Sequence, residues 1–132
     1  MEVFDRVHNV VDELKAIVDH LDNEIGLLVK ELKSLPCIKG YVEPKFIKRG
    51  NSVYGPYYYL RYDDKGVLRS IYLGKSIPEN IIKSGRAKAI MREIKLKKYW
   101  RNRIIQSVER TLSFLEKLRD EIVRENICVQ VN

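Results

Sequence analysis

Apolar residues stand at Phe4, Val7, Val11, Leu14, Val18, Leu21, Ile25, Leu28, Leu32 and Leu35, spaced by three and four without a break. This is a heptad seam, and a chain that carries it forms a helix that needs a partner along its whole length. Pro36 ends the helix, because proline lacks the N–H and clashes with the preceding turn. One row of the seam reads Phe, Val, Val, Ile, Leu and the other Val, Leu, Leu, Leu, Leu, the β-branched and leucine bias of a two-stranded coil. Val3, Val10 and Ile17 add a flanking stripe, wider than one partner helix covers. A homodimer is therefore expected through Val3, Val7, Val10, Val11, Leu14, Ile17 and Val18.

A second helical region follows Gly74. Ser76 with Glu79, and Pro78 between them, reads as a capping box. Gly85 is expected to interrupt, and a long helix then runs from about Arg86 to about Asn126. Its apolar positions, Ile90, Ile94, Ile104, Ile105, Val108, Leu112, Leu115, Leu118 and Ile122, suit antiparallel packing on the first helix. The tail "ICVQVN" has strand-like residues.

Between the helices the chemistry switches to strands: "IKGYVEPKFIK", "YYYLRY" and "VLRSIYL", punctuated by Gly50, Asn51, Gly55, Pro56 and "DDKG". A three-stranded antiparallel meander is expected. Pro44 puts the first strand at an edge. Read as a type I turn followed by a left-handed glycine, "DDKG" places Tyr57, Tyr59, Arg61, Arg69, Ile71 and Leu73 on one face. Tyr58, Leu60, Tyr62, Leu68, Ser70 and Tyr72 then take the other. A loop one residue longer would move Arg69 to the face opposite Arg61. The fold class expected is α+β, a long antiparallel helical hairpin with an inserted three-stranded sheet: residues 1–35 a coiled-coil helix, 36–76 the sheet, 77–132 a basic then amphipathic helix.

Charge is distributed unevenly. The chain carries +7, yet residues 1–35 sum to −4, 36–76 to +5, 77–103 to +7 and 104–132 to −1. The positive excess thus sits in the middle of the chain, as a local field for a polyanion. Residues 51–75 also hold six of the eight tyrosines. Tyrosine is a good strand residue in its own right, but rings interleaved with cations also suit phosphates, sugars and bases. From residue 83 to 103 there are nine basic side chains against one acid, Glu93. A solvated helix face commonly carries more Glu for i,i+4 pairing. The candidate nucleic-acid contacts are Lys45, Lys48, Arg49, Tyr57, Tyr59, Arg61, Arg69, Lys75, Arg86, Lys88, Arg92, Lys95 and Lys98.

The block "GPYYYL" to "RSIYLGK", with strand, acidic-glycine turn, strand and then helix, resembles the small three-stranded arm-binding domains of tyrosine recombinases and the AP2-type DNA-binding domains. It is also similar to a group of uncharacterised prokaryotic and viral proteins in which such a sheet lies between long helices. The likeness covers roughly residues 38–76. It implies a sheet laid in the major groove of double-stranded DNA, with Tyr57, Tyr59, Arg61 and Arg69 at the exposed strand positions. The flanking heptads are foreign to the arm domains, and "KRGNSVYGP" lacks the cysteines often found there in the uncharacterised relatives.

Catalysis is not expected. His8 and His20 lie on the acidic first helix, no His/Cys/Asp/Glu group has ligand spacing, and no glycine-rich phosphate loop precedes a helix. Neither a metal nor a cofactor is implied. Cys37 and Cys128 read as single thiols, with a bridge between them left open. No apolar run approaches the roughly 20 residues of a membrane span. Glu2 and Asp5 stand where a signal peptide would be basic, so a cytoplasmic protein is expected. The reading is a non-catalytic nucleic-acid-binding protein, DNA more than RNA, with a coiled-coil adaptor whose sheet binds a protein partner as the alternative.

Overall fold

The structure, a computed structural model, describes residues 2–125. The elements in chain order are α1 (Glu2–Lys33), β1 (Tyr41–Arg49), β2 (Ser52–Asp64), β3 (Val67–Gly74) and α2 (Glu79–Arg124). This is the expected α+β order. The tail "ICVQVN", with Cys128, lies outside the described residues. Two compact units divide the chain: Met1–Leu28 with Ile94–Asn132, and Val29–Glu93.

In the helical unit α1 and α2 run antiparallel. Arg101 donates to Asp22, Lys97 sits 2.5 Å from Glu24, and Val11, Leu14 and Val18 face Ile104, Ile105 and Val108 across a groove of about 310 Å³. The seam is only half used. No residue of α1 is buried, and Leu14, Val18, Leu21 and Ile25 are merely half-covered. One partner helix covers one side of a stripe that is wider than it.

In the sheet unit the strands form the order β1-β2-β3, so β1 with Pro44 is an edge. α1 closes with Ser34, whose hydroxyl donates to the Glu31 carbonyl at 2.7 Å, just before Pro36. α2 opens on the Pro78 carbonyl, which accepts the Ile81 and Ile82 N–H groups at 3.1 and 3.2 Å. Glu79 pairs with Lys83 at 3.3 Å, one turn on. Gly85 does not interrupt α2, contrary to expectation. A helical glycine costs only about 1 kcal/mol relative to alanine, and Ser84, Ala87 and Ile90 around it are buried.

The sheet is fixed to α2 by polar contacts. The Ile38 N–H donates to Ser84 Oγ at 2.7 Å, and the Ser84 hydroxyl donates back to the Ile38 carbonyl at 3.1 Å. Lys88 donates to the Gly40 carbonyl. Gly40 has φ +120°, and a Cβ there would run into the Arg61 carbonyl. Only glycine permits that approach. Leu60, the one buried strand residue among those described, lines a cavity of about 170 Å³ with Val42, Ile81, Ser84 and Lys88.

Two outcomes check this packing. Leu60→Ala should lower unfolding stability by about 2–5 kcal/mol in urea titration, as for a buried leucine, whereas Tyr72→Ala, half-exposed on the opposite face, should cost about 1 or less. In the helical unit, Lys97 hydrogen-bonds Glu24 and holds its carboxyl below the usual carboxylate range; desolvation opposes this and His20 adds to it. A lowered acid stabilises the fold above its unfolded pKa, and the contribution is lost as pH falls through the folded value. Glu24→Gln should therefore destabilise at neutral pH, and the gap in thermal midpoint should close on acidification through the carboxylate range.

Candidate nucleic-acid interface

Register decides which side chains share a face. Asp64 pairs with Val67 across a two-residue loop, Lys65 and Gly66, whose φ values are 52° and 85°. Two successive left-handed residues are the signature of a type I′ turn, whose twist matches that of the strands. The expected turn plus bulge is thus replaced by a shorter loop, and β3 is displaced by one residue. Tyr62 pairs with Arg69, Arg61 with Ser70 and Tyr59 with Tyr72. Arg69 and Ile71 therefore lie on the Leu60 face, and Leu68, Ser70 and Tyr72 join Tyr59 and Arg61. The β2 faces are as expected; those of β3 are reversed. Leu73 falls at an irregularity between the Tyr58–Gly74 and Tyr59–Tyr72 pairs.

The open face is a tyrosine platform. β1 brings Tyr41 beside Arg61, Glu43 beside Tyr59 and Lys45 beside Tyr57. The Tyr59 and Tyr72 rings lie 5.2 Å apart, and the Lys45 ammonium sits 4.7 Å over the Tyr59 ring. Beyond the end of β3, β1 and β2 continue as a two-stranded ribbon, where Ile47, Arg49, Tyr54 and Tyr57 line a recess of about 160 Å³. Five of the eight tyrosines thus share one face with Lys45, Arg49 and Arg61. Strand alternation alone does not place Tyr41, Tyr54 and Tyr72 there. The signal for Tyr72 is the "KG" pair read as a two-residue loop.

Arg61 and Arg69 are both held by acids. Arg61 Nη1 donates to Glu43 Oε2 at 3.0 Å with side chains 25% and 37% exposed, and its buried Nε has no partner among the described residues. Arg69 pairs with Asp64 at 2.7 Å on the other face. The pair expected to read bases together is divided.

The remaining candidates separate in the same way. Arg86 engages Glu31 through a two-point contact at 3.3 and 3.5 Å, and Lys88 is committed to Gly40. Both contacts lie within the sheet unit. Arg92 is exposed and donates to the Lys88 carbonyl at 3.4 Å. Lys48, paired with Val53, projects to the other side of the ribbon, and Lys75 is exposed after β3. Lys95 and Lys98 are exposed on α2 in the helical unit. That unit also exposes Trp100, which packs edge-on against Tyr99 at 5.3 Å with the Arg103 guanidinium 5.4 Å over its ring. Among the described residues no group of three or more His, Cys, Asp and Glu is placed to hold a metal, Cys37 is an exposed free thiol, and no helix is long and apolar enough to cross a membrane.

Compared with known proteins, residues 10–81 match the family described as "Domain of unknown function (DUF6788)". The match covers more than half of the 132 residues, and the chain belongs to this family. No curated protein and no solved structure matches it.

The two arginine pairs should differ in strength. Glu43→Ala leaves a part-buried guanidinium without its acceptor and should cost about 1–3 kcal/mol. Asp64→Ala opens a largely exposed pair and should cost less than about 1. Urea unfolding of the two variants measures the contrast; equal costs would mean that Arg61 finds another acceptor.

Proposed function

We propose that this family member binds nucleic acid through its sheet unit, taking phosphates with cations and packing bases or sugars on the tyrosine platform. The observation that carries the reading is the division of charge. Residues 29–93 hold 14 basic against 6 acidic side chains, +8, while the helical unit holds 11 against 12, −1. The sheet unit thus has the local excess that a polyanion releases counterions to meet.

The kind of contact follows from the side chains. Aromatic faces accept any base, and each stacked base is worth roughly 1–3 kcal/mol. Lys45, Lys48, Arg49 and Lys75 are exposed in the same unit. Arg61, held by Glu43, and Arg69, on the far face, do not form a matched pair for guanine edges. The reading is therefore of weakly sequence-selective binding, with single strands favoured over duplex, rather than the arginine readout of a major groove. The alternative, a protein-binding sheet, draws on Phe46, Ile47, Val53 and Tyr54, which leave the β1–β2 ribbon apolar and exposed.

Fluorescence anisotropy with labelled single-stranded DNA, duplex DNA and duplex RNA across a salt series tests this. Affinity should fall with salt, and Lys48→Gln with Arg49→Gln should flatten the log–log slope by about 1 for each phosphate that the variant no longer neutralises. Tyr59→Ala should weaken the single strand most, by about 1–3 kcal/mol, and Arg69→Ala should change little. Replacing Arg92, Lys95 and Lys98 by Gln asks whether α2 contributes: an unchanged slope assigns those cations to a solvated face. Salt-dependent binding to none of the three nucleic acids would sink the proposal and leave the protein-binding sheet.

A further inference from the structure

Independently of that reading, we infer that the helical unit is completed by a second copy of this chain, packed on the apolar stripe of α1 and the leucines of α2. Val3, Phe4, Val7, Val10, Val11 and Ile17 are each 43–68% exposed. Leu112, Leu115 and Leu118 on α2 are 46–54% exposed. A helix packed on one partner does not leave its own seam this open.

Area argues for a partner of the chain's own size class. Nine apolar side chains, one aromatic and eight aliphatic and each about half exposed, together present on the order of 600 Å² or more. Monomers rarely leave a patch above about 300–600 Å², and each subunit of a stable dimer buries about 800 Å². The groove of about 440 Å³ between Val3, Val7, Val10, Val11 and Leu14 on α1 and Val108 and Thr111 on α2 gives such a partner a seat.

The occupant is a second copy because the surface is suited to itself. The helical unit carries −1, so two copies meet without the repulsion that the +8 sheet units would bring. A two-fold interface uses the same patch on both subunits. Side chains on two helices per chain then close one core of four helices, with the leucine-rich and valine-rich stripes interdigitating.

Light scattering on the eluting protein should give twice the chain mass of 15.5 kDa. The thermal midpoint of the unmodified chain should rise with concentration across about a hundredfold range, as linked folding and association require. Val3→Asp with Val10→Asp should yield the single-chain mass with helical circular dichroism retained. If that variant unfolds, the concentration dependence of the unmodified protein still decides. A single-chain mass at high concentration with a constant midpoint overturns the inference, and so does an open series of larger masses.

Discussion

The contact on which the sheet unit depends is the Ser84 hydroxyl, buried in α2 and bonded to both the N–H and the carbonyl of Ile38. A buried hydroxyl without partners carries a desolvation penalty of about 1–3 kcal/mol. Meeting it with the backbone just ahead of β1 fixes where the strand begins. Lys88 repeats the arrangement one turn later by taking the Gly40 carbonyl. With the start of β1 held against α2, β2 follows by pairing, and Leu60 falls over the helix. The face bearing Tyr57, Tyr59 and Arg61 is left open as a consequence. Nothing about the tyrosines themselves demands it.

The same arrangement sorts the positive charges into two kinds. Arg86, Lys88, Lys97 and Arg101 meet carboxylates or carbonyls inside their own units. These cations hold elements together. Lys45, Lys48, Arg49 and Lys75 meet solvent. On the platform Arg61 is an intermediate case, since it is half-buried, paired across the strands with Tyr41 and held by Glu43. Under the proposed function, a face of rings with one internal ion pair and cations near its rim suits stacking and phosphate contact better than base-edge readout.

In the helical unit the two helices pair through Glu24 with Lys97 and Asp22 with Arg101, yet leave the valine-rich half of α1 uncovered. Both ion pairs bridge the antiparallel helices. Apolar burial, which supplies most of the stability in water, is incomplete in the single chain, and this open stripe is the observation behind the inferred second copy.

Element order, the stop at Pro36, the edge position of β1 and the meander are legible in the sequence, because heptads, proline and strand alternation act locally. The sequence also determined that the positive excess lies between the helical ends. It did not determine the β2–β3 register: one residue in "DDKG" separates a bulged turn from a two-residue loop, and that residue decides the side on which Arg69, Ile71 and Tyr72 stand. Nor did it show that Arg61 and Arg69 are held by Glu43 and Asp64, or that Arg86 and Lys88 serve packing. Those pairings join residues as far as 55 positions apart, and only the tertiary structure, by bringing strands and helices into contact, chooses which charge is satisfied within the fold and which is left for solvent or a ligand.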